Sequence, residues 1–266
     1  MAAHDSVIPK KSLGQHWLHD TSVLEAMCQA ANVQSGEYVL EIGPGLGTLT
    51  DILLSCGAEV LALEYDPGLI TKLHTKYDDR PSSEIFIQEG DIRTYDFSYL
   101  PEHYKIVANI PYYLTAYLLR LLTETPYKPD VTALLVQKEV AERVAARPGA
   151  LSFIAVAVQF YYEVSLGEVV PAELFTPPPK VDSQILILKS RATPLFQEVD
   201  TKQFFQLVKA GFSQRRKTLL NSLSAGLHIS RDQTIKILQS ADIAPTQRAQ
   251  TLSLVQWHQL YAAAYL

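Results

Sequence analysis

The sequence predicts an α/β protein: a parallel sheet with helices on both faces, followed by a small helical domain. Three observations carry this. Short apolar runs alternate with amphipathic stretches from residue 38 to about 147, the pattern of successive β-α units. The first run, Tyr38-Val39-Leu40-Glu41-Ile42, enters a glycine-rich turn, Gly43-Pro44-Gly45-Leu46-Gly47, after which the spacing becomes helical. Beyond Lys189 the helical period takes over, with Phe204, Leu207, Val208 and Gly211 at i, i+3, i+4 and i+7.

The elements follow in order. After the strand at 38–42 come a helix at 49–54 and a strand at 59–64. A helix at 67–77 opens on Pro67, whose missing N–H and fixed φ suit a first turn. Strands are expected near 84–88, 104–109 and 131–136, with helices at about 114–124 and 137–147. Two further apolar runs, 153–162 and 181–188, lack a helix-length connection and are expected to pair antiparallel at one edge of the sheet. Near 190–200 the chain passes into the tail, with helices expected around 204–211, 219–223, 230–239 and 252–264. The division is into two domains, 1–190 and 191–266.

A chain of 266 residues with 47% apolar content can bury a substantial core. Its apolar runs fall far short of a bilayer span, so no membrane association is expected. Met1-Ala2-Ala3-His4-Asp5 has neither a secretory nor a transit signature, so a cytoplasmic location is expected. Cys28 and Cys56 have no metal-ligand spacing and are expected to be free thiols; no metal site is expected. The net charge of −5 is unevenly spread. Residues 190–266 hold nine Lys or Arg against four Asp or Glu, which leaves −10 on 1–189. A basic tail on an acidic body points to a polyanionic partner for the tail.

The chemistry concentrates at strand ends. Asn109-Ile110-Pro111-Tyr112 follows the strand Lys105-Ile106-Val107-Ala108, where an open α/β sheet presents its ligands. The Asn109 amide oxygen can accept from an exocyclic amine, Pro111 helps to hold the Ile110 carbonyl as a second acceptor, and Tyr112 can stack on a base. The turn at 43–47 lacks the GxGxxG spacing, and Pro44 removes one N–H that a pyrophosphate would use. Glu41 sets a carboxylate beside the turn, awkward for a phosphate and suited to a cation. Glu64 ends the next strand, the position from which an acid accepts ribose hydroxyls. S-adenosylmethionine fits this set best, with NAD as the competing reading. In Gly90-Asp91-Ile92, Asp91 can accept from an adenine amine while Ile92 covers the ring.

Lys10-Lys11-Ser12-Leu13-Gly14-Gln15-His16-Trp17-Leu18, the 41–50 run, Asn109-Ile110-Pro111-Tyr112, and Phe175-Thr176-Pro177-Pro178-Pro179-Lys180-Val181-Asp182-Ser183 occur in this order. Together they carry a resemblance to the KsgA family of small-subunit ribosomal RNA adenine dimethyltransferases. Phe212-Ser213-Gln214-Arg215-Arg216-Lys217-Thr218-Leu219 and Arg248-Ala249-Gln250-Thr251-Leu252 extend it into the tail. The resemblance implies a seven-stranded, Rossmann-like S-adenosylmethionine-dependent methyltransferase sheet with a C-terminal helical domain. It implies dimethylation at N6 of two adjacent adenosines in the 3′-terminal hairpin of the small-subunit RNA.

Carried over by position, cofactor contacts fall on His16, Leu18, Gly43, Glu64, Asp91 and Asn109. The catalytic set is Asn109, Ile110, Pro111 and Tyr112, with Phe175 facing Tyr112 across the base. RNA phosphates fall to Arg215, Arg216, Lys217 and Arg248. His16 and Trp17 stand where the family usually has Asn and Phe. The expected partner is the small ribosomal subunit and its RNA, with the protein a monomer. The alternatives are a large-subunit RNA methyltransferase of the macrolide-resistance type and a non-catalytic ribosome-assembly factor.

Overall fold

Residues 13–214 and 216–266 are described by the structure, a computed structural model. The chain groups into two units. One comprises the described part of Met1–Ala141 with Ser165–Ser190, the other Glu142–Val164 with Arg191–Leu266.

The first unit is organised by a seven-stranded sheet of order β4-β3-β2-β5-β6-β9-β7. Its strands are β2 (Tyr38–Ile42), β3 (Glu59–Glu64), β4 (Ile85–Glu89), β5 (Lys105–Asn109), β6 (Val131–Gln137), β7 (Tyr162–Val170) and β9 (Ser183–Ser190). The pairs β2–β3, β3–β4, β2–β5 and β5–β6 are parallel, and β9 runs antiparallel to β6. Val39, Leu40, Ile106, Val107 and Ala108 are fully buried, which explains why these strands read as continuous apolar runs rather than alternations. Strand order reverses between β2 and β5, and such a reversal opens a crevice beyond the carboxyl ends of the two strands.

Helices α1 (Thr21–Ala30), α2 (Thr48–Ser55), α3 (Pro67–Lys76) and α4 (Tyr112–Glu124) connect or flank these strands, and α5 (Lys138–Val144) follows β6. Asp20 caps α1 by accepting from Ser22 N and Val23 N, and Asp66 caps α3 through Gly68 N. A second, two-stranded sheet joins β1 (Trp17–Leu18) to β8 (Phe175–Thr176), with Leu18 opposite Phe175.

The second unit is helical, built from α6 (Phe153–Tyr161), α7 (Thr201–Phe212), α8 (Leu219–Leu227), α9 (Arg231–Ser240) and α10 (Leu254–Tyr265). Its core gathers Phe160, Phe204, Leu207, Leu223, Leu238, Trp257 and Leu260. Ser230 and Ser253 form capping boxes with Gln233 and Gln256, fixing where α9 and α10 begin.

The run at 153–162, expected as a strand, is instead α6, and the edge strand is the following segment, β7. Ala155, Val156, Ala157, Val158 and Phe160 are all buried. A segment apolar on every side carries no period that separates strand from helix. Ser152 decides it locally, its hydroxyl accepting from Ala155 N at 3.3 Å as an N-cap. The contact grouping divides the chain at 190/191 and also places 142–164 with the helical tail. Cys28 and Cys56 are free, and burial pushes the Cys28 thiol up to about 12. Among the described residues no helix is long and apolar enough to cross a membrane, and no cluster of His, Cys, Asp or Glu could hold a metal ion.

Candidate active site

One cavity in the first unit lies at the carboxyl ends of β2, β3 and β5, where the strand order reverses. Its wall includes His16, Leu18, Gly43, Glu64, Asp91, Asn109, Ile110, Pro111, Tyr112 and Phe175. These ten residues come from six separate stretches of chain. Of the basic residues singled out in the tail, Arg216, Lys217 and Arg248 belong to the second unit, and Arg215 lies outside the described residues.

The turn between β2 and α2 is built on left-handed backbone: Gly43, Gly45 and Gly47 have φ of +69°, +62° and +74°. A Cβ placed on Gly43 would meet nothing within 4 Å, so the backbone there faces open cavity. Gly47 is held from behind. Tyr77 donates its hydroxyl to Gly47 O at 2.9 Å, and Lys76 Nζ donates to Leu46 O at 3.1 Å and Gly47 O at 3.0 Å. A Cβ on Gly47 would fall 2.5 Å from Tyr77 Oη. Gly47→Ala is therefore expected to lower stability by about 1–3 kcal/mol, read as a shifted urea midpoint; an unmoved midpoint would contradict this packing.

Two buried acids line the same space with different hydrogen-bond partners. Glu64 is 6% exposed and accepts from Gly45 N (3.1 Å), Tyr65 N (2.9 Å) and Asp66 N (2.8 Å). Burial raises its pKa above the ordinary carboxylate value, and the three amides oppose that rise. Its carboxylate thus ties the glycine turn to the end of β3. Glu41 is 1% exposed, and Thr50 Oγ1 donates to its Oε2 at 2.6 Å. Burial pushes its carboxyl up to about 8.

Asp91 carries a partner not foreseen from sequence. Arg93 donates through Nε to both carboxylate oxygens (3.0 and 2.8 Å), and this interaction lowers the Asp91 pKa. Tyr117 of α4 donates to Arg93 O at 2.7 Å, so α4 also braces this turn.

Asn109 ends β5, half-buried, and its carboxamide makes no hydrogen bond among the described residues. Ile110 is 2% exposed, which anchors the corner before α4. Tyr112 opens α4; its hydroxyl lies 2.7 Å from Ser183 Oγ, and its ring is stacked on His16 at 5.9 Å and 20°. His16 Nδ1 is 2.7 Å from Pro177 O, the geometry of a ring N–H donating to that carbonyl. Phe175 is 3% exposed and shared with the core, so it presents only a small surface to the cavity. Trp17 packs its indole over Gly45, whose Cβ position is 3.6 Å from Trp17 Nε1.

Three polar residues of the cavity escaped the sequence reading: Tyr65 and Tyr113, each more than half exposed, and Arg93. Tyr65 directly follows Glu64 and Tyr113 directly follows Tyr112, so adjacency to a singled-out residue was the available signal.

Residues 8–260 match the family described as Ribosomal RNA adenine dimethylase. The chain belongs to this family. Proteins named Ribosomal RNA small subunit methyltransferase A agree with that placement. The one from Dehalococcoides mccartyi is 40% identical over 253 residues, covering 94% of this chain and 87% of the relative. The Synechocystis protein is 39% identical, covering 95% of each, and the Enterococcus faecalis protein is 36% identical, covering 94% and 88%. Among solved structures, the fold is similar to a dimethyladenosine transferase from Plasmodium falciparum (TM-score 0.76, 25% identity, 92% and 96% covered). It is equally similar to the 23S rRNA methyltransferase ErmE (TM-score 0.75, 27% identity, 93% and 98% covered). The dimethylase family match spans both structural units, the helical tail included.

Proposed function

We propose that this protein transfers methyl groups from S-adenosylmethionine to N6 of two adjacent adenosines in the 3′-terminal hairpin of 16S rRNA, dimethylating each. The observation that carries the reading is the placement of Asn109 and Ile110 at the strand-order reversal, on the same cavity as Gly43 and Glu64. The cavity suits this cofactor: open space over Gly43 admits a close approach, and a buried acid at the end of β3 suits a ribose. When bound, S-adenosylmethionine supplies a methyl group activated by its sulfonium.

The chain's own residues supply alignment. An adenine amine is a poor nucleophile because its lone pair is delocalised into the ring. Asn109 Oδ1 and the Ile110 carbonyl accept its two hydrogens, orient the lone pair, and stabilise the positive charge that develops on nitrogen. Pro111 fixes the corner. Tyr112, held by Ser183, stacks on the extruded base, and Phe175 closes the far wall. His16, Leu18, Gly43, Glu64 and Asp91 hold the cofactor, Asp91 sharing its carboxylate with Arg93. No general base is required, since the methylated amine loses its proton to solvent.

The partner is the small ribosomal subunit, engaged by a monomer in the cytoplasm without a metal ion. The small-subunit target is favoured over a large-subunit one because named small-subunit relatives reach 36–40% identity, against 27% for the 23S enzyme. Tritium transfer from labelled cofactor to unmethylated small subunits, large subunits and free RNA tests this. Label confined to large subunits would overturn the target, and no label anywhere would favour an assembly factor.

Arg216 and Lys217 lie exposed in the turn between α7 and α8, and Arg248 is exposed before the 249–251 turn. Leu219 N donates to Gln247 O at 2.7 Å, which brings these basic positions to one side of the helical unit. Alanine at Arg216, Lys217 and Arg248 together is expected to reduce the slope of log affinity against log salt by about 1 per residue. An unchanged slope in a filter-binding titration would remove them from the RNA contact.

A further inference from the structure

Glu41 is the buried acid that alignment of the substrate amine does not use. It lines the cavity, is 1% exposed, and receives one hydrogen bond, from Thr50, at Oε2. Its other oxygen accepts none among the described residues. The titratable groups around it are unfavourable to a second negative charge. Asp51 of α2 and Glu64 of β3 oppose ionisation. Lys76 of α3 favours it, but that ammonium is paired with Asp51 at 2.6 Å. Tyr77 of α3 and Cys28 of α1 also sense the Glu41 charge, and burial keeps both in the neutral form. At neutral pH a carboxyl in such a setting is held protonated, and a cation entering beside it favours ionisation.

We propose that Glu41 is the cation-sensing residue of the cofactor site: neutral in the free protein, it releases its proton to solvent as the cationic end of the cofactor binds against it. The inference rests on the S-adenosylmethionine reading above. It makes Glu41 a specificity residue for cofactor charge, in addition to the contacts already assigned. The shared ligand chemistry is a positive centre, and two sources exist on one molecule, the sulfonium and the ammonium of the amino-acid end.

Burial that holds the free carboxyl at about 8 supports the linkage and sets its scale. Between pH 6 and 7 a single released proton makes affinity rise about tenfold. The test is isothermal titration calorimetry with the full chain in buffers of differing ionisation enthalpy. The ligands are S-adenosylmethionine, S-adenosylhomocysteine and 5′-methylthioadenosine, with wild type and Glu41→Gln compared. Wild type is expected to release close to one proton with S-adenosylmethionine at pH 6.5 and none with 5′-methylthioadenosine, which lacks both positive centres. The glutamine variant keeps the acceptor for Thr50 and should release none. A proton released with S-adenosylhomocysteine assigns the ammonium as the source, and its absence there assigns the sulfonium. Binding without proton release in wild type, or equal release in the variant, overturns the proposal and leaves the methyltransferase reading standing. No binding of S-adenosylmethionine at all would instead remove the reading on which it rests.

Discussion

Asn109→Ala is expected to lower the rate of methyl transfer by about 10²–10³-fold while cofactor binding persists at reduced affinity. The carboxamide contributes an acceptor that matters most as positive charge grows on the attacking nitrogen, so its loss falls on the transition state. Ile110 O remains after the substitution, because it belongs to the main chain of a buried corner. The amine is then held by one acceptor, and its lone pair is free to rotate out of line. Single-turnover transfer of label, measured beside cofactor affinity by calorimetry, separates the two effects. Asn109→Asp, which keeps an acceptor at the same place, should retain more activity than alanine. Transfer at the wild-type rate in the alanine variant would refute the alignment role. The variant is not expected to unfold, since the carboxamide has no intramolecular hydrogen bond among the described residues to lose.

Much of this site was legible because its parts are local. A strand, a turn with alternate glycines and a helix are read from about a dozen consecutive residues, and β2, its turn and α2 fall where that reading puts them. Asn109 and Glu64 were found by the same logic, as polar residues ending apolar runs. What escaped is non-local. Leu18 pairs with Phe175 and His16 reaches Pro177 across about 160 residues, and no period or spacing in the sequence announces a two-residue strand. The Arg93–Asp91 pair is near in sequence, whereas the Tyr117 hydroxyl that reaches Arg93 O comes from 24 residues away. The α6 segment failed for a different reason. Its residues 155–158 are buried in one unbroken run, so composition alone could not choose between periods. The grouping of 142–164 with the tail follows from that same helix.

The pH dependence of stability offers a separate measure of how Glu41 is held. An unfolded glutamate titrates near 4.5, whereas in the folded chain Glu41 is pushed up to about 8. Between these values the folded state holds a proton that the unfolded state has released, so stability falls as pH rises through that window and levels off above it. The loss from this one group is about 5 kcal/mol, at 1.36 kcal/mol for each pH unit crossed. Glutamine stays neutral throughout. Glu41→Gln should therefore match wild type near pH 5 and exceed it by several kcal/mol near pH 9, in urea denaturation without cofactor. Glu64 shifts in the same direction and its charge adds to the rise at Glu41, so the comparison reads Glu41 together with its coupling to Glu64. Parallel stability curves for the two proteins would mean that the carboxyl is hydrated or paired in the free chain, and that its burial against Thr50 does not govern its charge. Should glutamine prove the more stable residue at 41, a ligand that needs the carboxylate charge would account for the glutamate.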